Sequence, residues 1–157
     1  MNREQAMTRI DDYFESGAFF EELSRRVAIH SESQEPDQLA ELHRYLGDEM
    51  LPSLEALGFS CEVHENPLPQ GGPFLVAGRH EGDDRPTVMS YGHGDVVRGY
   101  DEQWLEGLSP WVLEKRGARW YGRGSADNKG QHTINLAAMR AVLEARGELG
   151  FNAVVLI

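Results

Sequence analysis

One cysteine, Cys61, stands in the 157 residues. No internal disulfide can form, and the expected compartment is the reducing cytoplasm. No stretch approaches the roughly 20 consecutive apolar residues that a helix needs to cross a bilayer, which excludes a helical membrane span. The opening MNREQAMTRIDDYFESG carries charges of both signs and no apolar core, so it is not expected to be a secretory signal. Basic residues are also scarce, 15 Lys and Arg against 26 Asp and Glu, and the net charge is −11. Phosphate backbones repel such a chain, which argues against nucleic acid as a partner. Repeats and low-complexity segments are absent. What is present is a 40% hydrophobic complement gathered in dense runs, which excludes disorder and suits one domain.

Periodicity divides the chain. Met7, Ile10, Tyr13 and Phe14 recur at helical spacing, and after a break at Gly17 so do Phe19, Phe20, Leu23 and Val27. Pro36 opens a second helical pattern through Leu39, Leu42, Leu46, Met50, Leu54 and Leu57, which Gly58 closes and Pro52 is expected to kink or split. Residues 59–65 alternate as a half-buried strand; 74–79 and 87–91 read as further strands on either side of EGDDRP, with a turn at 66–72 before them. Residues 111–115 and 119–121 form an expected hairpin about Arg116-Gly117-Ala118. A helix from about Gly130 to Ala145 follows, and the apolar, β-branched 151–157 reads as a strand buried on both faces. The class is therefore α/β with a mixed sheet flanked by helices. The chain stops inside that last strand, whose faces and edges need cover, so it is expected to be the N-terminal part of a longer protein.

Two motifs bear chemistry. In Tyr91-Gly92-His93-Gly94-Asp95, His93 and Asp95 are two apart at a strand end, so an extended chain points both to one side. Imidazole is a favoured zinc ligand, and a neighbouring carboxylate commonly fixes its tautomer and orientation. The competing reading is a surface His and Asp at an ordinary strand-to-loop junction. The second motif, Gly122-Arg123-Gly124-Ser125-Ala126-Asp127-Asn128-Lys129-Gly130, precedes a helix. It fails as a dinucleotide fingerprint, because Asp127 takes the third glycine position. It fails as a phosphate loop too, because Lys129 is followed by Gly130. A carboxylate on a Gly-rich turn suits a cation; Asp127 or Asn128 as a plain helix N-cap is the alternative.

The order of these motifs resembles the zinc-dependent exopeptidases and deacylases that include acetylornithine deacetylase, succinyl-diaminopimelate desuccinylase, glutamate carboxypeptidase and aminoacylase. The resemblance runs from Phe20 to Ile157. It implies that His93 is a zinc ligand, that Asp127 bridges two zinc ions (cobalt or manganese being possible substitutes), and that Asp95 is the catalytic-site acid orienting the His93 ring. It further implies a cis peptide after Asp127. Ser31 falls where the family usually has Ile-Pro-Ser, with His30 departing from that pattern. Next in the family, after a strand matching 151–157, come an adjacent glutamate pair (general base and ligand), a further carboxylate, a distant histidine, and a lid or dimerisation domain. None of these lies within the 157 residues.

The implied activity is hydrolysis of a peptide or N-acyl amino acid by a longer parent, with a homodimer possible through the absent domain. The chain itself is expected to be inactive. The competing reading is a non-catalytic remnant or interaction module that keeps the fold. His43, His64 and His80 read as surface residues. His132 is near the proposed metal without a ligand role, and Trp104, Trp111 and Trp120 read as packing anchors.

Overall fold

The computed structural model describes residues 3–68 and 71–157. Helices α1 (Arg3–Glu15) and α2 (Ala18–Val27) meet at Gly17, whose φ of 85° a residue with a Cβ would adopt only under strain. Pro36 opens a short tight turn that runs into α3 (Leu39–Arg44). A wide π-helical turn, Tyr45–Met50, then leads into α4 (Leu51–Glu55). The helical run is thus divided, as the sequence suggests, with Pro52 just past the division. This proline sits in the first turn of α4, where its missing N–H costs little after the change of helical pitch. Gly58, at φ 76°, ends the helical run before the sheet.

The main sheet has the order β1-β2-β6-β3, from β1 (Ser60–His64), β2 (Phe74–Arg79), β3 (Thr87–Tyr91) and β6 (Asn152–Leu156). β1 and β2 are antiparallel, as are β2 and β6, whereas β3 runs parallel to β6; the sheet is mixed, as expected. The turn expected at 66–72 includes residues 69 and 70, which lie outside the described residues. A small hairpin of β4 (Glu114–Arg116) and β5 (Arg119–Tyr121) stands apart from the sheet. It is shorter than the sequence suggests. Trp111 leaves the ladder to stack on His30, ring centroids 4.0 Å apart. Helix α5 (Lys129–Arg146) ends at Gly147 and returns the chain to β6.

Alternation on the strands decides where the core sits. Leu75, Ala77, Ala153 and Val155 share one face and are buried against Leu46, Met50 and Leu54 of the helical run and Leu136 of α5. Fully burying such side chains contributes about 1.5–3 kcal/mol each for the larger ones. On the opposite face Val76, Val154 and Leu156 are half-buried, and Met89 and Tyr91 are exposed. β6 is thus buried on one face rather than both. Its hydrophobic run is continuous, but among the described residues only one face is packed. A second cluster joins Leu23, Val27 and Leu113 to Phe19, Phe20 and Trp120, which Phe14 stacks upon. No helix among the described residues is long and apolar enough to cross a membrane.

Candidate metal centre

The parallel strands β3 and β6 end side by side, and Gly92 N–H still donates to Leu156 O at 2.9 Å. Beyond that bond the chain turns off the sheet as Gly92–Val96. The segment before α3 holds this turn in place. Ser31 is fully buried and donates through Oγ to Gly94 O at 2.6 Å, while Val96 N–H donates to Ser31 O at 2.8 Å. Ser33 adds a bond from Oγ to Asp95 Oδ2 at 2.7 Å. Gly94 is required by packing: a Cβ there would stand 2.1 Å from the Tyr45 ring. The glycine after His93 thus admits an aromatic ring of the protein itself, and the one before it admits Ile157 and Asn128.

The second turn, from Gly122 into α5, is built around a buried cation. Lys129 Nζ donates to Arg26 O at 2.9 Å and Ile29 O at 2.8 Å and lies over the Tyr45 ring at 4.9 Å. Burial pushes its amine down to about 7, against the opposing pull of Asp95 and Glu41 on the charged form. At Gly130 a Cβ would meet Ser125 O at 2.0 Å, so the turn closes onto the helix only with glycine there.

The two turns bring the expected residues together. His93 Nε2 lies 3.2 Å from Asp127 Oδ1, and His93 Nδ1 lies 3.1 Å from both Asp95 Oδ1 and Asp95 O. An imidazole lone pair and a carboxylate oxygen approach this closely only with a proton or a cation between them. The Asp127 side chain is 84% exposed and that of His93 32%, so the pair faces solvent at the ends of the strands. Open α/β sheets commonly bind ligands in this position. These atoms suit a divalent metal: an imidazole steadied through its other nitrogen by a carboxylate, with a free carboxylate opposite. Among the described residues no group of three or more His, Cys, Asp or Glu is placed to hold a metal ion. The described residues thus fall short of the three protein ligands usual at a catalytic zinc. A cavity of about 240 Å³ opens beside His93 and Asp95, with Leu42, Leu46, Pro73 and Ile157 on its apolar wall.

The peptide between Asp127 and Asn128 is cis, as the family resemblance implies. Asn128 stands at the N-cap position of α5, yet its side chain makes no capping bond. Its Oδ1 instead accepts from the backbone N–H of His93 at 3.1 Å and faces His132 Nδ1 at 3.1 Å; its Nδ2 donates to Gln131 Oε1 at 2.6 Å. His132 Nε2 meets the Tyr45 hydroxyl. Burial, with help from Arg26, Lys129 and His93, depresses the His132 imidazole to about 3, and burial raises the Tyr45 phenol far above its ordinary range. Sequence reasoning missed Tyr45, Lys129 and the side chain of Asn128. Their partners lie 35 to 103 residues away, beyond any local pattern. His43, His64 and His80 pair with Glu65, Glu62 and Asp83 away from this centre.

The profile described as "Peptidase family M20/M25/M40" matches residues 89–157, which begin in β3 and hold both turns and α5. This segment belongs to peptidase family M20/M25/M40. Among relatives, the chain is 33% identical over 138 residues to a cysteinylglycine-S-conjugate dipeptidase of Corynebacterium striatum, covering 87% of this chain and 29% of that protein. It is 35% identical over 107 residues to a succinyl-diaminopimelate desuccinylase of Janthinobacterium sp. (strain Marseille), covering 65% and 27%. Among solved structures, human carnosine dipeptidase 1 superposes with a TM-score of 0.87 at 28% identity, over 98% of this chain and 34% of that one. The chain thus spans about a third of the length of the M20 proteins it matches.

Proposed function

We propose that residues 1–157 form the N-terminal part of one metallohydrolase catalytic domain, and that the whole protein hydrolyses the amide bond of a dipeptide or N-acyl amino acid. The approach of His93 Nε2 to Asp127 Oδ1, with Asp95 on the other ring nitrogen, carries this reading. M20 relatives named as dipeptidases and a desuccinylase support the substrate class. In this reading His93 and Asp127 hold a divalent cation, zinc by the chemistry of the donors, and Asp95 keeps the imidazole aimed. The metal, when bound, supplies Lewis-acid polarisation of the scissile carbonyl and an acidified water. The chain's own work is positional. Ser31 and Ser33 fix the His93 turn, and Lys129 ties the Asp127 turn to the end of α2. The 157 residues alone bind zinc weakly and do not turn over substrate, because a third protein ligand and a general base must come from elsewhere.

The test compares zinc binding and amino-acid release from dipeptides and N-acyl amino acids in two proteins, residues 1–157 and a form extended to the length of the relatives. We expect turnover only in the extended form, abolished by His93→Ala and by Asp127→Ala. An extended form whose turnover survives both substitutions overturns the reading.

A further inference from the structure

We propose that Tyr45, His132 and Asn128 form a directed hydrogen-bond relay that positions the backbone of His93 against the turn carrying Asp127, with His132 held as the neutral tautomer protonated at Nδ1. Its functional meaning rests on the reading of His93 and Asp127 as metal ligands, whereas its geometry stands apart from it.

The polarity of every bond follows from one backbone amide. The N–H of His93 can only donate, so the Asn128 atom 3.1 Å away is the side-chain oxygen. The other end agrees, because the Asn128 amide nitrogen faces the acceptor Gln131 Oε1. That same Asn128 oxygen faces His132 Nδ1, and two acceptors repel; Nδ1 therefore carries the hydrogen. At the far side of the ring Nε2 faces the Tyr45 hydroxyl. A second proton on this ring would put a charge into a site where His132 is only 3% exposed and where Arg26 is already a cationic neighbour. Nε2 is therefore an acceptor and Tyr45 donates to it.

The chain of contacts closes on itself. Tyr45 reaches His132 through its hydroxyl, and its ring fills the space beside Gly94, the residue after His93. Asn128 is the residue after Asp127 and grips the N–H of His93. A ring of contacts, Tyr45 to His132 to Asn128 to His93 to Gly94 and back, thus fixes how far apart the two donors stand. None of Tyr45, His132 and Asn128 contacts the Asp127 carboxylate or the His93 imidazole by hydrogen bond among the described residues, so they are positioning residues.

The test uses the protein labelled with nitrogen-15 in its histidines. Long-range nitrogen–proton spectra read the His132 tautomer, hydrogen exchange reads protection of the His93 amide, and competition with a chelator reads zinc affinity. We expect His132 as the Nδ1–H tautomer and a protected His93 amide. His132→Asn, which places an amide N–H where Nδ1–H stood, keeps that protection and the zinc affinity. His132→Leu exposes the amide to exchange and weakens zinc about 10–100-fold, the usual cost of losing an outer partner of a ligand. An Nε2–H tautomer in the unsubstituted protein overturns the relay, and so does a folded His132→Leu with unchanged exchange at His93. Should His132→Leu fail to fold, His132→Asn decides: loss of His93 protection there overturns the relay, and retention supports it. A protein that binds no zinc at all sinks the metal reading, while tautomer and exchange still judge the relay.

Discussion

At the ends of β3 and β6 two layers of side chains lie a few ångströms apart and are built on opposite terms. The outer layer, His93, Asp95 and Asp127, is polar and open, with side chains from 32% to 84% exposed. The inner layer is just as polar, with Arg26, Lys129, His132, Thr133 and Ser31, yet each of these is 3% exposed or less. Inside, every charge is matched before anything binds: Arg26 to Glu22 at 2.5 Å and to Glu49 at 3.7 Å, Lys129 to two carbonyls. Outside, Asp127 meets His93 and otherwise faces water. The buried layer carries stability, and the open layer carries the side chains that the proposed function assigns to a cation. Buried polar groups are costly to disturb because their partners lose everything, whereas exposed ones are kept for what they hold.

Substitutions should therefore separate the layers, and the largest effect belongs to the inner one. Arg26→Ala takes from Glu22 and Glu49 their fully buried partner and leaves each only a more exposed arginine, Arg140 and Arg25, so we expect a loss of about 3 kcal/mol in urea unfolding. Acid should attack the same layer. His132 is neutral down to about pH 3 in the folded chain and protonates near 6.5 once unfolded, so the unfolded state binds the extra proton between those values. Stability then falls as pH drops through that window, by a few kcal/mol at most. His132→Asn, measured in parallel, should flatten this part of the stability curve; an unchanged slope would place the sensitivity in the carboxylates instead.

Tyr45→Phe removes one donor and leaves Nε2 of His132 unpaired, which should cost about 1–3 kcal/mol while the ring still packs on Gly94. The smallest effect on folding belongs to the outer layer. Asp127→Asn should shift unfolding by no more than about 0.5 kcal/mol. Zinc affinity in the same variant should drop by more than the roughly 10–100-fold that an outer partner costs. A large loss of stability from Asp127→Asn would erase the distinction between the layers.

How much of this the sequence discloses follows the same division. Residues that act through local backbone geometry were legible: Gly17, Gly58 and Gly147 end helices at positive φ, and Pro36 starts one. His93, Asp95 and Asp127 stood out because they lie in glycine-rich turns beside strand and helix ends, in the order that carries the family resemblance, and the structure places the three side by side. The reading of Asn128 as a plain N-cap failed because its oxygen is spent on His93, a partner 35 residues away. Lys129 entered the sequence reading only in a phosphate-loop pattern that failed, because its carbonyl partners are assembled only when the end of α2 folds against it. The half-buried face of β6 was missed for a related reason. A run such as Ala153-Val154-Val155-Leu156 announces burial but not how many of its faces are packed.

The wide turn between α3 and α4 had a signature after all. Leu42, Leu46, Met50 and Leu54 are spaced by fours, and in an α-helix a step of four overshoots a full revolution by about 40°. Over three steps such a row would wind off the core. The π-helical segment Tyr45–Met50 spends an additional residue and resets the angle, so that Tyr45, Leu46, Glu49 and Met50 all turn inward and Leu54 follows. It behaves like a differential between two shafts: α3 is phased to present Tyr45 to the centre, and α4 is phased to seat Leu54 in the core. Deleting one residue there, such as the open Gly47, would leave every hydrogen-bonding side chain present but rotate one shaft by about 100° against the other. The separation of His93 and Asp127 would then depend on a helical angle set by neither of them.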